Sequence, residues 1–332
     1  MRITHDMLMK IAADTAAERG ADEDVTGVYL HGSLNGGDPM LGGAADIDLT
    51  VVHEDGEARR EIVRLNEDVH LDIHHHPAEI YEDGRGLREQ AWMGMTVYHC
   101  KILYDPRHFL DFTQANVRGM FDRADIVMKR ARPLLEAARR TWLGFSGREV
   151  QAGSAEVEEY LGALENTANA LACLNGGPLP TRRLLLDLPQ RAAALGQEGL
   201  AVGLVGLLGG NGVKAEEMRG WLSAWEAAFE AGGKRVPRDL ELHAARLKYF
   251  RAAMEVMLEG EQPGTALWPL LRTWTRAVAL LGGEGQHAQA WAAACNELDL
   301  LGEHFETKLA GLDAYLDTVE ELFERWEDER GV

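Results

Sequence analysis

The apolar positions fall into two patterns along the chain. Thr4 stands where a helix N-cap belongs, ahead of Met7, Leu8, Ile11 and Ala12 at helical spacing, and Gly20 marks the stop. Residues 25–31 read as a strand that runs into a glycine-rich stretch at 32–43. Further strands are predicted over 47–53 and 69–75, where apolar residues alternate or run on, and a fourth over 97–104, closed by Asp105-Pro106. Past about Pro106 the period changes. Tyr160, Leu161, Leu164, Ala168 and Leu171 are spaced as on one helix face, and Gly and Pro punctuate roughly seven to nine such segments. The prediction is an α+β protein: a small mixed-sheet domain over residues 1–110, then an all-helical domain over 111–332.

Composition narrows the function. The 332 residues carry 54 Asp+Glu against 34 Lys+Arg, a formal charge of −20. Such a field repels a phosphate backbone, so long nucleic acid is not the expected partner, whereas a single nucleotide held through a metal ion and a cationic acceptor both fit. The start of the chain lacks the apolar core of a signal peptide, and the longest apolar run, 199–210, is too short to span a bilayer. No membrane partner is therefore expected. Cys100, Cys173 and Cys295 are odd in number and far apart, which predicts a reduced, cytoplasmic protein with inert thiols. The abundant apolar helix surface permits a homodimer.

The chemistry concentrates in the first domain. At Gly32-Ser33 small residues follow a strand, where backbone N–H groups can face an anion. Asp46-Ile47-Asp48 puts two carboxylates on one side of the next strand, and two carboxylates on one face suit Mg²⁺ when substrate phosphates complete its shell. Over 69–74, His70, Asp72 and His74 share a face opposite Val69, Leu71 and Ile73. If that strand lies beside the first, Asp72 becomes a third carboxylate at the same place. Three such charges repel one another and call for divalent cations. Two ions there would activate an attacking oxygen and stabilise a leaving pyrophosphate.

Gly32-Ser33, Asp46-x-Asp48 and a later strand bearing Asp72 together resemble the DNA polymerase beta-like nucleotidyltransferase superfamily. A short catalytic domain before a helical half is similar to the aminoglycoside nucleotidyltransferases, and residues 101–106 resemble the strand that often closes their catalytic domain. The resemblance implies that Gly32 and Ser33 hold the triphosphate and that Asp46 and Asp48 bind Mg²⁺. It makes Asp72 a third ligand or the general base, with Glu165 of the helical half as an alternative base. It further implies two Mg²⁺ ions, ATP as co-substrate, and transfer of AMP to a hydroxyl of a small acceptor with release of pyrophosphate. A protein or RNA acceptor, or a silent nucleotide-binding regulatory module, are the alternatives.

Two departures stand out. Ala45 precedes the first acid where the family often has Ser, and the loop carries Asn35-Gly36-Gly37 where a basic residue often sits. Asn35 is thus the loop's polar contact for the nucleotide. No Lys or Arg occurs between Ser33 and Arg59, so Arg182 and Arg183, in a helix start capped by Thr181, are expected to neutralise the triphosphate, with Arg246 and Lys248 as alternatives. The other polar residues have plainer readings. Three consecutive histidines, His74 to His76, cannot all ligate one ion from a regular strand, and they read as a strand end meeting Pro77, with His74 on the Asp72 face as a candidate base. His31 reads as a satisfied strand-end histidine and Asp38 as solvated. Glu158 and Glu165 read as a solvated helix face, and Trp221, Trp225, Trp268, Trp274 and Trp291 as core.

Overall fold

Thr4 caps the first helix as its position predicts. Its hydroxyl accepts from the Met7 amide at 3.3 Å, and the helix, α1 (His5–Arg19), ends at Gly20. In this computed structural model, which describes residues 3–147, 150–237 and 239–332, the chain divides into two units, Met1–Ile126 and Val127–Val332.

The first unit is built on a five-stranded mixed sheet. Its strands are β1 (Val25–His31), β2 (Ala45–His53), β3 (Arg59–Arg64), β4 (Val69–Pro77) and β5 (Lys101–Tyr104), in the order β3-β4-β2-β1-β5. β2 and β4 run parallel, and all other neighbours are antiparallel. Side chains alternate across the sheet, and its two faces carry separate apolar clusters. One face sets Leu30, Ile47, Leu49, Leu71 and Ile73 against Leu8, Ala12 and Ala16 of α1. The other sets Tyr29 and Val52 against Leu87 of α2 (Gly84–Arg88), Val97 of α3 (Ala91–His99), and Leu110 and Val117 of α4 (Phe109–Arg118). On that second face the apolar cluster takes the later part of β2, while the start of the strand carries Asp46 and Asp48.

Three expectations change here. The strand predicted over 97–104 is shorter: Val97 to His99 end a helix, Cys100 turns extended (φ −53°, ψ 151°), and only Lys101–Tyr104 pair with β1. β3 has no counterpart among the predicted strands. The first unit also runs on to Ile126 rather than stopping at residue 110, because α4 buries its Leu110 and Val117 in the core of this unit.

The second unit is helical. Among the described residues its helices are α5 (Ala124–Phe145), α6 (Ser154–Cys173), α7 (Leu184–Ala193), α8 (Glu198–Leu207), α9 (Ala215–Gly233), α10 (Ala244–Glu259), α11 (Leu267–Leu280), α12 (Gly285–Glu297) and α13 (His304–Arg330), the first of them beginning just before the boundary. Trp225, Trp268 and Trp274 are fully buried, and Trp291 nearly so, as core residues. Trp225 donates its indole N–H to the Thr273 hydroxyl at 2.8 Å, and Trp291 donates to the Thr275 hydroxyl at 3.0 Å. An indole that finds an acceptor can be buried without leaving a donor stranded. Much acidic charge on α13 is spent on α5: Arg139 reaches Asp313 and Asp317 at 2.6 Å and Glu320 at 2.8 Å. Cys100, Cys173 and Cys295 are free and buried, and burial pushes the Cys100 and Cys173 thiols up to about 12. Among the described residues no helix is long and apolar enough to cross a membrane.

Candidate active site

β1 hands the chain into a turn that only glycine tolerates. Gly32 has φ 70° and ψ −161°, and a Cβ built on it would lie 1.9 Å from Asp48 Oδ2. Residues Ser33–Asn35 then form a single 3-10 turn, and the Gly37 amide closes on the Ser33 carbonyl at 2.8 Å. The Gly32 backbone is exposed, while the Ser33 hydroxyl is buried and has no hydrogen-bond partner. Asn35 donates its side-chain amide to the His99 carbonyl at 2.6 Å. That bond ties the turn to the end of α3, so the Asn35 amide is engaged within the unit.

Strand register assembles the acids. In the parallel pair Asp46 sits opposite His70 and Asp48 opposite Asp72, while across the antiparallel pairs Asp48 faces His31 and Asp72 faces Ile62. Asp46, Asp48 and Asp72 therefore stand on one face of adjacent strands, beside the Gly32 turn. Their environments differ. Asp46 is only 5% exposed and its Oδ1 has no hydrogen-bond partner, a costly state for a buried carboxylate. Asp48 is half-buried under Gly32. Asp72 is 1% exposed, and Arg60 of β3 clamps it with a two-pronged fork, Nε to Oδ1 at 2.7 Å and Nη2 to Oδ2 at 2.6 Å.

These differences decide what the face can hold. Among the described residues no three His, Cys, Asp or Glu side chains converge as ligands for a metal ion. Asp46 and Asp48 alone, with a stranded buried oxygen on one and an exposed glycine turn over the other, fit a single Mg²⁺ whose shell is completed by phosphates. Asp72 does not fit a second ion, because a guanidinium already lies against both of its oxygens. Sequence reasoning missed Arg60. The only signal was the short run 59–64 between Gly56 and the turn at 65–68, which carries Ile62 and Val63 among charges.

The histidines sort by face, as alternation requires. His31 shares a hydrogen bond with the Thr50 hydroxyl at 3.2 Å and meets the His74 ring edge-on at 5.8 Å. His74 Nε2 lies 3.6 Å from Asp72 Oδ1, and His76 bonds the Tyr81 hydroxyl at 2.7 Å, which in turn bonds Tyr29 at 2.8 Å. His75 points the opposite way, between His53 at 2.9 Å and Glu61 at 3.1 Å. Burial first, then the neighbouring His74, pushes His31 down to about 3 and His76 to about 4.

That depression has a sign. Both rings are neutral in the fold, whereas the unfolded chain protonates them near the ordinary value of about 6.5. Below that pH the unfolded state binds more protons, so stability is full above about 6.5 and falls toward about 4, by roughly 1 kcal/mol per pH unit per histidine. Thermal melts are expected to drop steadily across this window, with a shallower drop in a His76→Gln variant. An identical slope in the variant would count against the buried neutral ring.

In the helical unit, Arg182 is buried with its guanidinium 3.6 Å from the Tyr249 ring centroid. α7 begins at Leu184 with Arg183 in the N-cap position, so Thr181 does not cap it, and Arg183 lies 3.9 Å from Asp187. Arg246 donates to Glu241 at 2.8 Å, and Lys248 is exposed. Glu158 and Glu165 are not a solvated face. Arg272 bonds Glu165 at 3.1 Å, and Glu158 lies 3.6 Å from Arg272 and 3.7 Å from Arg276. Asp38 is exposed, its carboxylate accepting from the Met40 amide at 3.0 Å.

No family model matches this chain, and no curated protein matches it. Among solved structures, a nucleotidyltransferase-like protein from Exiguobacterium sibiricum 255-15 aligns over 96% of this chain and 91% of its own, at 13% identity and a TM-score of 0.29. At that TM-score the alignment is too loose to place any residue, and the site is read from its own geometry.

Proposed function

We propose that this site is a Mg²⁺-dependent nucleotidyltransferase, moving AMP from ATP to a hydroxyl of a small, cationic acceptor and releasing pyrophosphate. One observation carries the reading: the exposed Gly32 backbone lies on Asp48 so closely that no side chain fits, beside a buried Asp46 oxygen and a buried Ser33 hydroxyl that both lack partners. Buried polar atoms left unmet in this way mark a place where a ligand completes the bonding. An acidic face beside a glycine turn suits a cation-bridged phosphate chain.

In the reaction, the acceptor oxygen bonds the α-phosphorus while the bond from that phosphorus to the bridging oxygen breaks. Pyrophosphate leaves with the electron pair, and the hydroxyl proton passes to a base. Bound Mg²⁺ supplies charge neutralisation for the phosphates. Asp46 and Asp48 would hold it, and the Gly32-Ser33 turn would meet the phosphate chain with backbone N–H groups. Asp72, held by Arg60 and with His74 Nε2 3.6 Å from its Oδ1, is the base candidate on this face. The net charge of −20 favours an amine-bearing acceptor over an anionic one.

The test is pyrophosphate release screened over nucleoside triphosphates and hydroxyl acceptors, with Asp46→Ala as the blank. Release that needs Mg²⁺ and ATP and vanishes in the blank is the expected outcome. Label from ATP ending in protein or RNA instead of a small molecule overturns the acceptor class, and equal release by the blank overturns the site.

A further inference from the structure

We infer that Arg60 takes the place of a second divalent cation, so that the site binds one metal ion with its nucleotide and not two. The inference rests on the nucleotidyl-transfer reading above and departs from the two-ion arrangement that three acids on one sheet face imply. The strand register sets it up. Ile62 of β3 pairs with Asp72, so Arg60, two residues away, rises on the same face of the sheet and reaches Asp72 diagonally. Each donor takes one carboxylate oxygen, Nε to Oδ1 at 2.7 Å and Nη2 to Oδ2 at 2.6 Å, a bidentate geometry that lysine cannot make.

Charge points the same way. Asp46, Asp48 and Asp72 carry three negative charges, and Arg60 returns one positive charge, which leaves the face matched to one divalent ion. A second ion placed against Asp72 would sit beside a fixed cation that is held against the same two oxygens, and like charges that close repel strongly in a half-dry site. Burial makes the arrangement hard to escape. Asp72 is 1% exposed, so moving Arg60 aside would leave a buried carboxylate without its counter-charge until another cation arrived. The same residue answers a gap in the sequence, which offers no Lys or Arg between Ser33 and Arg59. Arg60 is a fixed positive charge on the acidic face, held against Asp72.

Electron paramagnetic resonance of Mn²⁺ with a non-hydrolysable ATP analogue tests this on the full chain. Two ions about 3.5–4 Å apart give a spin-coupled signal, and one ion does not. Wild type is expected to show a single uncoupled Mn²⁺ per protein, and Arg60→Ala a coupled pair. The Arg60→Ala/Asp72→Asn variant, which removes both charges and leaves no unpaired buried carboxylate, is expected to return to one ion. A coupled pair in wild type overturns the inference while leaving nucleotidyl transfer standing, and this measurement holds even if Arg60→Ala fails to fold. One uncoupled ion in a folded Arg60→Ala protein also overturns it. No Mn²⁺ bound to wild type overturns the nucleotidyl-transfer reading itself.

Discussion

Asp46→Asn is expected to cut Mg²⁺-dependent pyrophosphate release by about 10³-fold while leaving the metal-free fold at least as stable as wild type. The two effects share one cause. Asp46 is 5% exposed and its Oδ1 meets no donor, so the apo protein holds a buried carboxylate oxygen that no hydrogen bond satisfies. Asparagine keeps the shape and removes the charge, relieving the repulsion from Asp48 on the same strand face. The variant also loses one of two oxygen ligands to the cation. Several kcal/mol of transition-state charge stabilisation are at stake, and each 1.36 kcal/mol is a factor of ten in rate. Melting curves with and without Mg²⁺ separate the two effects. Wild type should gain about 2.7 kcal/mol when the ion stands at a hundred times its dissociation constant, and the variant should gain almost nothing. A variant that melts lower than wild type without Mg²⁺, or that keeps its turnover, would sink the assignment.

The same physics explains which parts of the fold were legible from sequence. β1, β2 and β4 are interior strands with one face in a core, so their apolar residues alternate or run on, and their starts were read correctly or within two residues. β3 is an edge strand, partly exposed along both faces, and its sequence from Arg59 to Arg64 carries four charges around Ile62 and Val63. Charged edges are how sheets avoid pairing with other chains, and they erase the alternation by which a strand is recognised. At 97–99 the error ran the other way. Val97 and Tyr98 suit a strand, but they follow Trp92, Met93 and Met95 in a helix that buries Gly94 and Val97, and a short apolar run does not reveal its period.

Missing β3 had a consequence for the site. Alternation put Asp46 and Asp48 on one face of their strand and Asp72 on one face of its own, and the parallel pairing of β2 with β4 brings the three together beside the Gly32-Ser33 turn. Alternation could not place Arg60, because its place depends on a register between β3 and β4 that no local pattern encodes. A face read as three acids calling for two cations is in the structure a face of three acids and a guanidinium. The helical half was legible as helices but not as chemistry. Glu158 and Glu165 sit on α6 at spacings that suggest a solvated stripe, yet Arg272 and Arg276, more than a hundred residues later, arrive from α11 to pair with them.

Gly32→Ala is expected to be the most damaging single substitution in the first unit, costing about 2–4 kcal/mol of stability and abolishing turnover. Two penalties combine. The backbone at φ 70° disfavours any Cβ, and the new atom would fall 1.9 Å from Asp48 Oδ2, 2.8 Å from its Cγ and 3.1 Å from its Cβ. Either the turn or the carboxylate must move, and both belong to the proposed site. Gly36→Ala is the control within the same loop, because its φ of −178° is extended and nothing lies within 4 Å of the added carbon. It should change stability by no more than about 0.5 kcal/mol. A double-mutant cycle isolates the clash from the strain. In an Asp48→Ala background the oxygen and Cγ are gone, so Gly32→Ala should cost only the backbone strain of about 1–2 kcal/mol. A penalty as large in that background as in wild type would show that the glycine is required by its dihedral angles alone. A smaller one ties the glycine of the turn to the second acid of the Asp-x-Asp pair, sixteen residues on in sequence and close to it in space.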